Sequence, residues 1–289
     1  MMKIVLLSDV HGNLPALLAV LEELKSFQPY LLAVAGDLTG GPYTNEVLEL
    51  LHQQNAEMIL GNSDLGLLRY LRHEGPEEWQ TLKQFGLLRW NAHNLTEENF
   101  QFLSDLPEQR VVSLPGAAPI RLVHGSPRDP FESIYPEKDI SILDLSLQMI
   151  AEPVLACGHT HEPWCLHRNG KMALNPGSVA GPLNGEIGAQ YACMEWRESE
   201  WQVTQKIVTY DQAPLQEAFV ECGLIEEGGP VARSFLLSIE TGQNVTSDFL
   251  TFAFRLAEQA GFEDRKILTD EIWDLAEAAY VWSKWKSFK

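Results

Sequence analysis

Residues 3–24 read KIVLLSDVHGNLPALLAVLEEL. The run Lys3–Val10 is rich in Ile, Val and Leu, which is typical of a strand buried on both faces. Asn13 and Pro15 mark a turn and a helix start, after which apolar residues recur at helical spacing. These apolar residues are Leu17, Leu18, Leu21 and Leu24. The stretch therefore predicts a strand, a turn and an amphipathic helix.

The same rhythm repeats twice along the first half of the chain. A second apolar run, Tyr30–Ala35, ends in Gly36-Asp37 and is followed by apolar residues at helical spacing. A third run, Met58–Leu60, ends in Gly61-Asn62. Strands and helices that alternate in this way favour right-handed crossovers and a largely parallel sheet covered on both faces.

The rest of the chain predicts a helical insertion, further strands and a helical end. The insertion covers residues 65–107, and strands are expected at 110–114, 120–123 and 154–157. Short alternating stretches between 164 and 210 predict hairpins that form an antiparallel second layer. Beyond 210, helical periodicity is found at 215–220, 249–260 and 267–285. We divide the chain into a domain at 1–240 and a helical C-terminal extension at 241–289.

The C-terminal extension is rich in aromatic residues. These are Trp273, Tyr280, Trp282, Trp285 and Phe288. A helix pair docked on the core explains them, and a contact between two copies of the chain, giving a homo-oligomer, is the alternative.

Composition and charge narrow the function. Of the 289 residues, 45% are hydrophobic and 21% are charged, as expected of a folded globular protein. The formal net charge of −19 disfavours nonspecific binding to nucleic acid and to anionic membranes. No apolar run is long enough to predict a membrane helix or a signal peptide. The four cysteines form no C-x-x-C pair, so we expect reduced thiols and a cytoplasmic protein.

Five short segments place polar residues after strand-like runs, where open α/β sheets bind their ligands. In chain order they are Asp9-Val10-His11, Gly36-Asp37, Gly61-Asn62-Ser63-Asp64, His124-Gly125 and Gly158-His159-Thr160-His161. In an extended chain, residues i and i+2 point to the same side, so two of the segments each offer a pair of side chains to one cavity. So many converging polar groups are costly to desolvate unless a cation accepts their lone pairs. The sequence therefore predicts a site for divalent metal.

The order of these segments resembles that of the calcineurin-like metallophosphoesterases, whose blocks read D-x-H, G-D, G-N-H-D/E, H-G and G-H-x-H. The small prokaryotic branch of that family is the most similar. Its likeness extends to residues 124–129, 158–163 and 175–178, which read HGSPRD, GHTHEP and NPGS. The resemblance covers residues 3 to about 240.

The resemblance implies a fold, a ligand set and an activity. The fold is of the α/β class, an α+β sandwich in which two mixed β-sheets pack together and are flanked by helices. One metal is held by Asp9, His11 and His161, the other by Asn62, His124 and His159, and Asp37 bridges them. The activity is the hydrolysis of phosphomonoesters or phosphodiesters by a hydroxide that bridges two divalent metals.

Several assignments stay open. Carboxylate, amide and imidazole donors without thiolate favour Mn²⁺, with Fe²⁺, Zn²⁺ or Ni²⁺ as alternatives. The substrate is a phosphorylated small molecule, a nucleotide or a phosphoprotein. The alternative function is a non-catalytic metal-binding scaffold, as in the retromer subunit that resembles this family.

Four further residues are candidates for roles at the site, and three of them also have a purely structural interpretation. Ser63 stands where most of the family has a histidine that donates a proton to the leaving group, a task for which a hydroxyl has too high a pKa. Asp64 orients Asn62 or a water molecule, or caps a helix. Asn13 contacts phosphate or closes the turn after the first strand. Arg128 contacts phosphate or forms a surface salt bridge.

Overall fold

The computed structural model describes residues 2–262 and 267–285. In chain order, strands β1–β10 are Lys3–Leu7, Leu31–Val34, Glu57–Met58, Gln109–Val112, Ile120–Val123, Val154–Ala156, Trp164–Arg168, Lys171–Asn175, Ala189–Arg197 and Glu200–Val208. Helices α1–α11 are Leu14–Phe27, Thr44–Gln53, Asn62–Leu71, Glu78–Thr81, Gly86–Asn94, Glu97–Ser104, Ile140–Met149, Ala213–Glu221, Leu224–Thr241, Val245–Gln259 and Asp270–Ala279. Two 3-10 helices cover Lys83–Phe85 and Trp282–Trp285.

The strands form two mixed five-stranded sheets within the described residues. The first has the order β10-β9-β1-β2-β3 and the second the order β4-β5-β6-β8-β7. β1, β2 and β3 are parallel, as are β5, β6 and β8, whereas β9, β10, β4 and β7 pair antiparallel with their neighbours. Two mixed sheets flanked by helices confirm the predicted fold class.

Alternation along β1 shows how the layers are built. Ile4 and Leu6 point into a core between the sheets, where they meet Leu122 and Leu174 of the second sheet. Val5 and Leu7 point the other way and pack under α1 and α2. Because both faces of this strand are buried, its residues form the unbroken apolar run seen in the sequence.

The predicted antiparallel second layer is wrong, although both of its hairpins exist. β7 and β8 turn at Asn169-Gly170, and β9 and β10 turn at Glu198-Ser199. The hairpins belong to different sheets, because β8 pairs parallel with β6 while β9 pairs with β1. Local alternation reveals a hairpin, but the burial of each outer face decides which sheet it joins.

The C-terminal half contains a helix that periodicity did not predict. α9 is interrupted at Gly229, whose φ of 56° and ψ of −142° are not helical, and Pro230 follows.

α7, between β5 and β6, is a second helix that the sequence pattern does not predict. Its apolar side chains Leu143 and Leu147 cover the outer face of the second sheet. Phe288, named above among the aromatic residues of the extension, lies outside the described residues.

The helical insertion and the C-terminal helices pack on each other. α5 lies against α9, and the 3-10 helix Lys83–Phe85 contacts both α9 and α11. These elements cover residues 62–104 and 213–285, as far as they are described. The predicted domain boundary at 240 falls at the last turn of α9 and remains a prediction. Among the described helices, none combines the length and apolar character needed to cross a bilayer.

Candidate metal centre

All seven predicted ligands lie beyond the carboxyl ends of parallel strands, at one edge of the sandwich. Asp9 and His11 follow β1, Asp37 follows β2 and Asn62 follows β3. The second sheet contributes His124 after β5, and His159 and His161 after β6. The carboxyl ends of parallel strands point in the same direction. The loops that follow these strands in both sheets therefore reach the same edge of the sandwich.

Five of these residues adopt left-handed backbone conformations that non-glycine residues rarely adopt. Their φ angles are 54° for Asp9, 43° for His11, 53° for Asp37, 69° for His159 and 56° for His161. Such conformations turn the chain sharply after each strand. Neighbouring loops also approach closely, because a side chain at Gly61 would collide with the Asp37 carboxylate.

Three imidazoles are fixed by the same kind of hydrogen bond. Nδ1 of His11 lies 2.9 Å from the Thr39 carbonyl oxygen, that of His124 2.7 Å from the carbonyl of Ala35, and that of His161 2.8 Å from the carbonyl of Gly181. A carbonyl only accepts, so each Nδ1 carries a proton and donates it. The Nε2 atoms are then directed into the site, the arrangement usual for metal-bound histidine.

The Nε2 atoms converge on two buried carboxylates. Asp37 Oδ2 lies 3.4 Å from His11 Nε2, and its Oδ1 lies 3.4 Å from His124 Nε2. Asp9 Oδ1 lies 3.3 Å from His161 Nε2, which is 3.4 Å from His11 Nε2. Asp37 thus stands between two groups of donors, the position implied for a bridging ligand.

The donor set fits divalent cations. Ligand atoms of Asp9, His11 and His161 all lie within 4.8 Å of one another, as do those of Asp9, Asp37 and His124. Buried Asp9 Oδ1 has no neighbour in hydrogen-bond geometry and faces only the Nε2 atom of His161, at 3.3 Å. With Nδ1 protonated, each neutral imidazole turns a lone pair toward an oxygen or another nitrogen, a contact that needs a cation between the atoms.

When metal is absent, protons on the imidazoles take the place of a cation between these donor atoms. Burial opposes the charged form of His124, but the charges of Asp37 and Asp9 outweigh it and raise its pKa to about 9. Burial likewise opposes ionisation of Asp37, yet His124 and His11 hold the pKa of its carboxyl well below the usual range. Burial and the neighbouring charge of His124 lower the pKa of His159.

The second predicted ligand group is assembled in part. Asn62 Oδ1 lies 2.9 Å from His124 Nε2. The ring of His159 lies 5.2 Å from that of His124, centre to centre, and its backbone N–H donates to Asp9 Oδ2 at 3.1 Å. His159 and Asn62 both line the cleft above the carboxylates.

Ser63 and Asp64 both form hydrogen bonds with the loop after β2. The Ser63 backbone N–H donates to Asp37 Oδ1 at 2.8 Å, and its hydroxyl donates to Oδ2 at 2.9 Å. Asp64 is fully buried and accepts hydrogen bonds from the N–H groups of Leu38, Thr39 and Gly61. The last of these bonds is a helix-capping interaction, so Asp64 joins two ligand-bearing loops rather than facing the cleft.

The side chains of Asn13 and Arg128 both form hydrogen bonds or ion pairs with other groups of the protein. Asn13 caps α1 through its side-chain oxygen, and its amide donates to the Ala180 carbonyl and the Tyr210 hydroxyl. Asn13 is buried and its side chain is engaged at the turn after β1, while a contact with phosphate stays a prediction. Arg128 forms a two-point ion pair with Glu132, the surface salt bridge considered above.

Comparison with known proteins identifies the family. The calcineurin-like phosphoesterase superfamily domain matches residues 2–199. The chain belongs to this superfamily. A metallophosphoesterase from Sphaerobacter thermophilus is 29% identical, with a TM-score of 0.67 over 83% of this chain and 99% of that one.

Two further relatives carry no assigned function in their names. A hypothetical protein from Pyrococcus horikoshii OT3 shares the fold, with 22% identity and a TM-score of 0.68 over 81% of this chain and 98% of that one. An uncharacterised protein of Methanocaldococcus jannaschii is 27% identical over 243 residues, which cover 77% of this chain and 94% of the relative. The superfamily is metal-dependent, in keeping with the clustered carboxylates and imidazoles.

Several supporting residues escaped the sequence analysis. The amide of Asn175 donates to the Gly158 carbonyl at 2.6 Å, and the Ser178 hydroxyl donates to the Asp9 carbonyl at 3.0 Å. They lie in the NPGS stretch, which could have indicated them. Phe235 of α9 lies edge-on to His11, with ring centres 5.3 Å apart. No motif surrounds Phe235, and no signal in the sequence singled it out.

Proposed function

We propose that the protein is a dinuclear metal-dependent hydrolase of phosphomonoesters or phosphodiesters, with Mn²⁺ as its favoured metal. The supporting observation is the set of three imidazoles locked at Nδ1 whose Nε2 atoms converge on Asp9 and Asp37. Two divalent cations would supply charge stabilisation for the phosphoryl oxygens and lower the pKa of a water molecule.

The protein's own residues then have distinct tasks. Asp9, His11 and His161 would hold one cation, Asn62, His124 and His159 the other, and Asp37 both. The backbone carbonyls of Ala35, Thr39 and Gly181 orient three of the rings. Ser63 donates two hydrogen bonds to Asp37 and fixes the plane of its carboxylate.

The test is hydrolysis of 4-nitrophenyl phosphate and bis(4-nitrophenyl) phosphate by metal-free and Mn²⁺-loaded protein, with metal content measured on the same samples. We expect turnover only in the loaded protein, and the ratio of the two rates shows whether the site prefers monoesters or diesters. Two bound metals without turnover of either ester would contradict the proposal and favour the non-catalytic scaffold.

A further inference from the structure

The cleft above the candidate ligands has two apolar walls. Its volume is about 670 Å³, within the range of sites for small organic ligands. Leu67 and Leu88 of the insertion form one wall, and Val231, Phe235 and Leu250 form the other. The second wall belongs to α9 and α10, which lie beyond residue 199, where the superfamily match ends.

The insertion and the C-terminal helices contact each other directly. The Lys83 backbone N–H donates to Asp270 at 2.8 Å, and its ammonium group contacts Asp274 at 2.6 Å. Gly86 lies so close to the carbonyl of Glu227 that no larger residue could take its place without movement. These contacts join the insertion to α9 and α11 beside the cleft.

The cleft is nearly free of charged side chains despite the acidity of the protein. Of the described residues that line it, Asp37 is the only Asp, Glu, Lys or Arg. Its other polar lining is neutral away from the histidines, as at Asn91, Tyr135, Asn244 and Ser247. A second anionic group on a substrate would lose its hydration here and meet no cationic partner on the walls.

We propose that the cleft selects phosphoesters whose organic group is uncharged and apolar, with Phe235 and Leu250 as specificity-determining residues. This inference rests on the proposed function, since the phosphoryl group is placed at the candidate metals. Phe235 lies beside His11, so an organic group that extends from the metal centre toward α9 meets its ring first. Polyphosphates, and organic groups that carry further acidic substituents, are disfavoured.

The test is calorimetric binding of three phosphonates to the Mn²⁺-loaded protein, because phosphonates are not hydrolysed and binding is read independently of turnover. Methylphosphonate reports the phosphonate group alone, 4-methylbenzylphosphonate adds an apolar ring, and 4-carboxybenzylphosphonate adds a similar ring with a charge. We expect 4-methylbenzylphosphonate to bind at least about tenfold more tightly than either of the others.

Two lysine variants locate the effect. Leu250→Lys places a cation in the cleft and should shift the preference at least about tenfold toward the carboxylate probe. Thr251→Lys adds the same charge at an exposed position of α10 outside the cleft lining and should leave the preference within about twofold. If both variants shift the preference alike, the effect is one of net charge and the assignment to Leu250 is wrong.

The wild-type protein alone can overturn the inference. Equal binding of the three phosphonates, or no detectable binding of 4-methylbenzylphosphonate, would contradict it. Turnover of aryl phosphates without discrimination among phosphonates refutes the inference and leaves the proposed function standing. Discrimination without turnover refutes the hydrolase and leaves the cleft's selectivity standing.

Discussion

Left-handed backbone at five candidate ligands concentrates strain where side chains must converge. Each such residue costs on the order of 1–2 kcal/mol relative to a relaxed conformation. The surrounding structure must therefore hold these loops in place, and the buried hydrogen bonds of Asp64, Asn175 and Ser178 do so. The strain and its supports lie next to the donors, as expected where geometry serves binding.

Metal binding at pH 7 should displace a proton from His124. Its pKa of about 9 means that the imidazole is charged at pH 7 in the metal-free protein, whereas a metal-bound imidazole is neutral. Metal affinity should then increase with pH from 7 to about 9 and level off above that range. Calorimetric Mn²⁺ titrations under argon, in buffers of different ionisation enthalpy, count the protons released. A count that does not fall between pH 7 and 9 would contradict this assignment.

Ser63 offers a test of leaving-group protonation. Ser63→His should accelerate alkyl phosphoesters selectively, by about 10²- to 10⁴-fold, because a positioned imidazole can protonate a basic leaving oxygen. Aryl esters leave as weakly basic phenolates and should change little. The measurement is kcat/KM for matched aryl and alkyl esters at equal metal content.

Ser63→Ala is the control for that substitution, because it removes only the hydroxyl that donates to Asp37 Oδ2. A loss shared by both variants comes from this hydrogen bond, and partners of metal ligands typically contribute about 10- to 100-fold to affinity or activity. Equal changes for aryl and alkyl esters in Ser63→His would refute a role in leaving-group protonation.

At the level of elements, the loops after β2 and β3 depend on one carboxylate. Asp64 accepts from Leu38, Thr39 and Gly61 at 2.9 to 3.0 Å. Asp64→Asn replaces one acceptor oxygen by an amide that can only donate and faces N–H groups. We expect the free energy of unfolding of the metal-free protein to fall by about 1–3 kcal/mol, measured in urea.

The matched control is Asp105→Asn, at an exposed position after α6, where a change within about 0.5 kcal/mol is expected. If the two substitutions cost the same, Asp64 does not hold the loops together.

Elements were predictable where local pattern and burial agree. β1, β2 and β5 are buried runs that end in Gly or in a ligand, so their strands and the site at their ends could be predicted. α9 could not, because Gly228, Gly229 and Pro230 interrupt its periodicity and the helix is supported by packing on α5, α8 and α10. The sheet to which each hairpin belongs depends on contacts far apart in the chain, which local alternation does not encode.

At the level of the whole molecule, the C-terminal extension is part of the cleft. Asn244, Thr246 and Leu250 line the space that His11 and Asp37 also line. The aromatic residues of this extension, which were predicted to dock it on the core, pack in part against aromatic residues of the extension itself. Trp273 and Tyr280 lie edge-on against Phe249. Association of two copies through these helices stays a prediction.

The most direct measurement is turnover of bis(4-nitrophenyl) phosphate as metal-free protein is titrated with Mn²⁺, with bound metal counted at each point. We predict that activity reaches its maximum at two metals per chain. Asp37→Asn should bind both metals more weakly and show no turnover at any ratio, while His11→Ala should mainly weaken one site. Two tightly held metals in Asp37→Asn, or full activity at one metal per chain, would contradict a centre in which Asp37 bridges two metals.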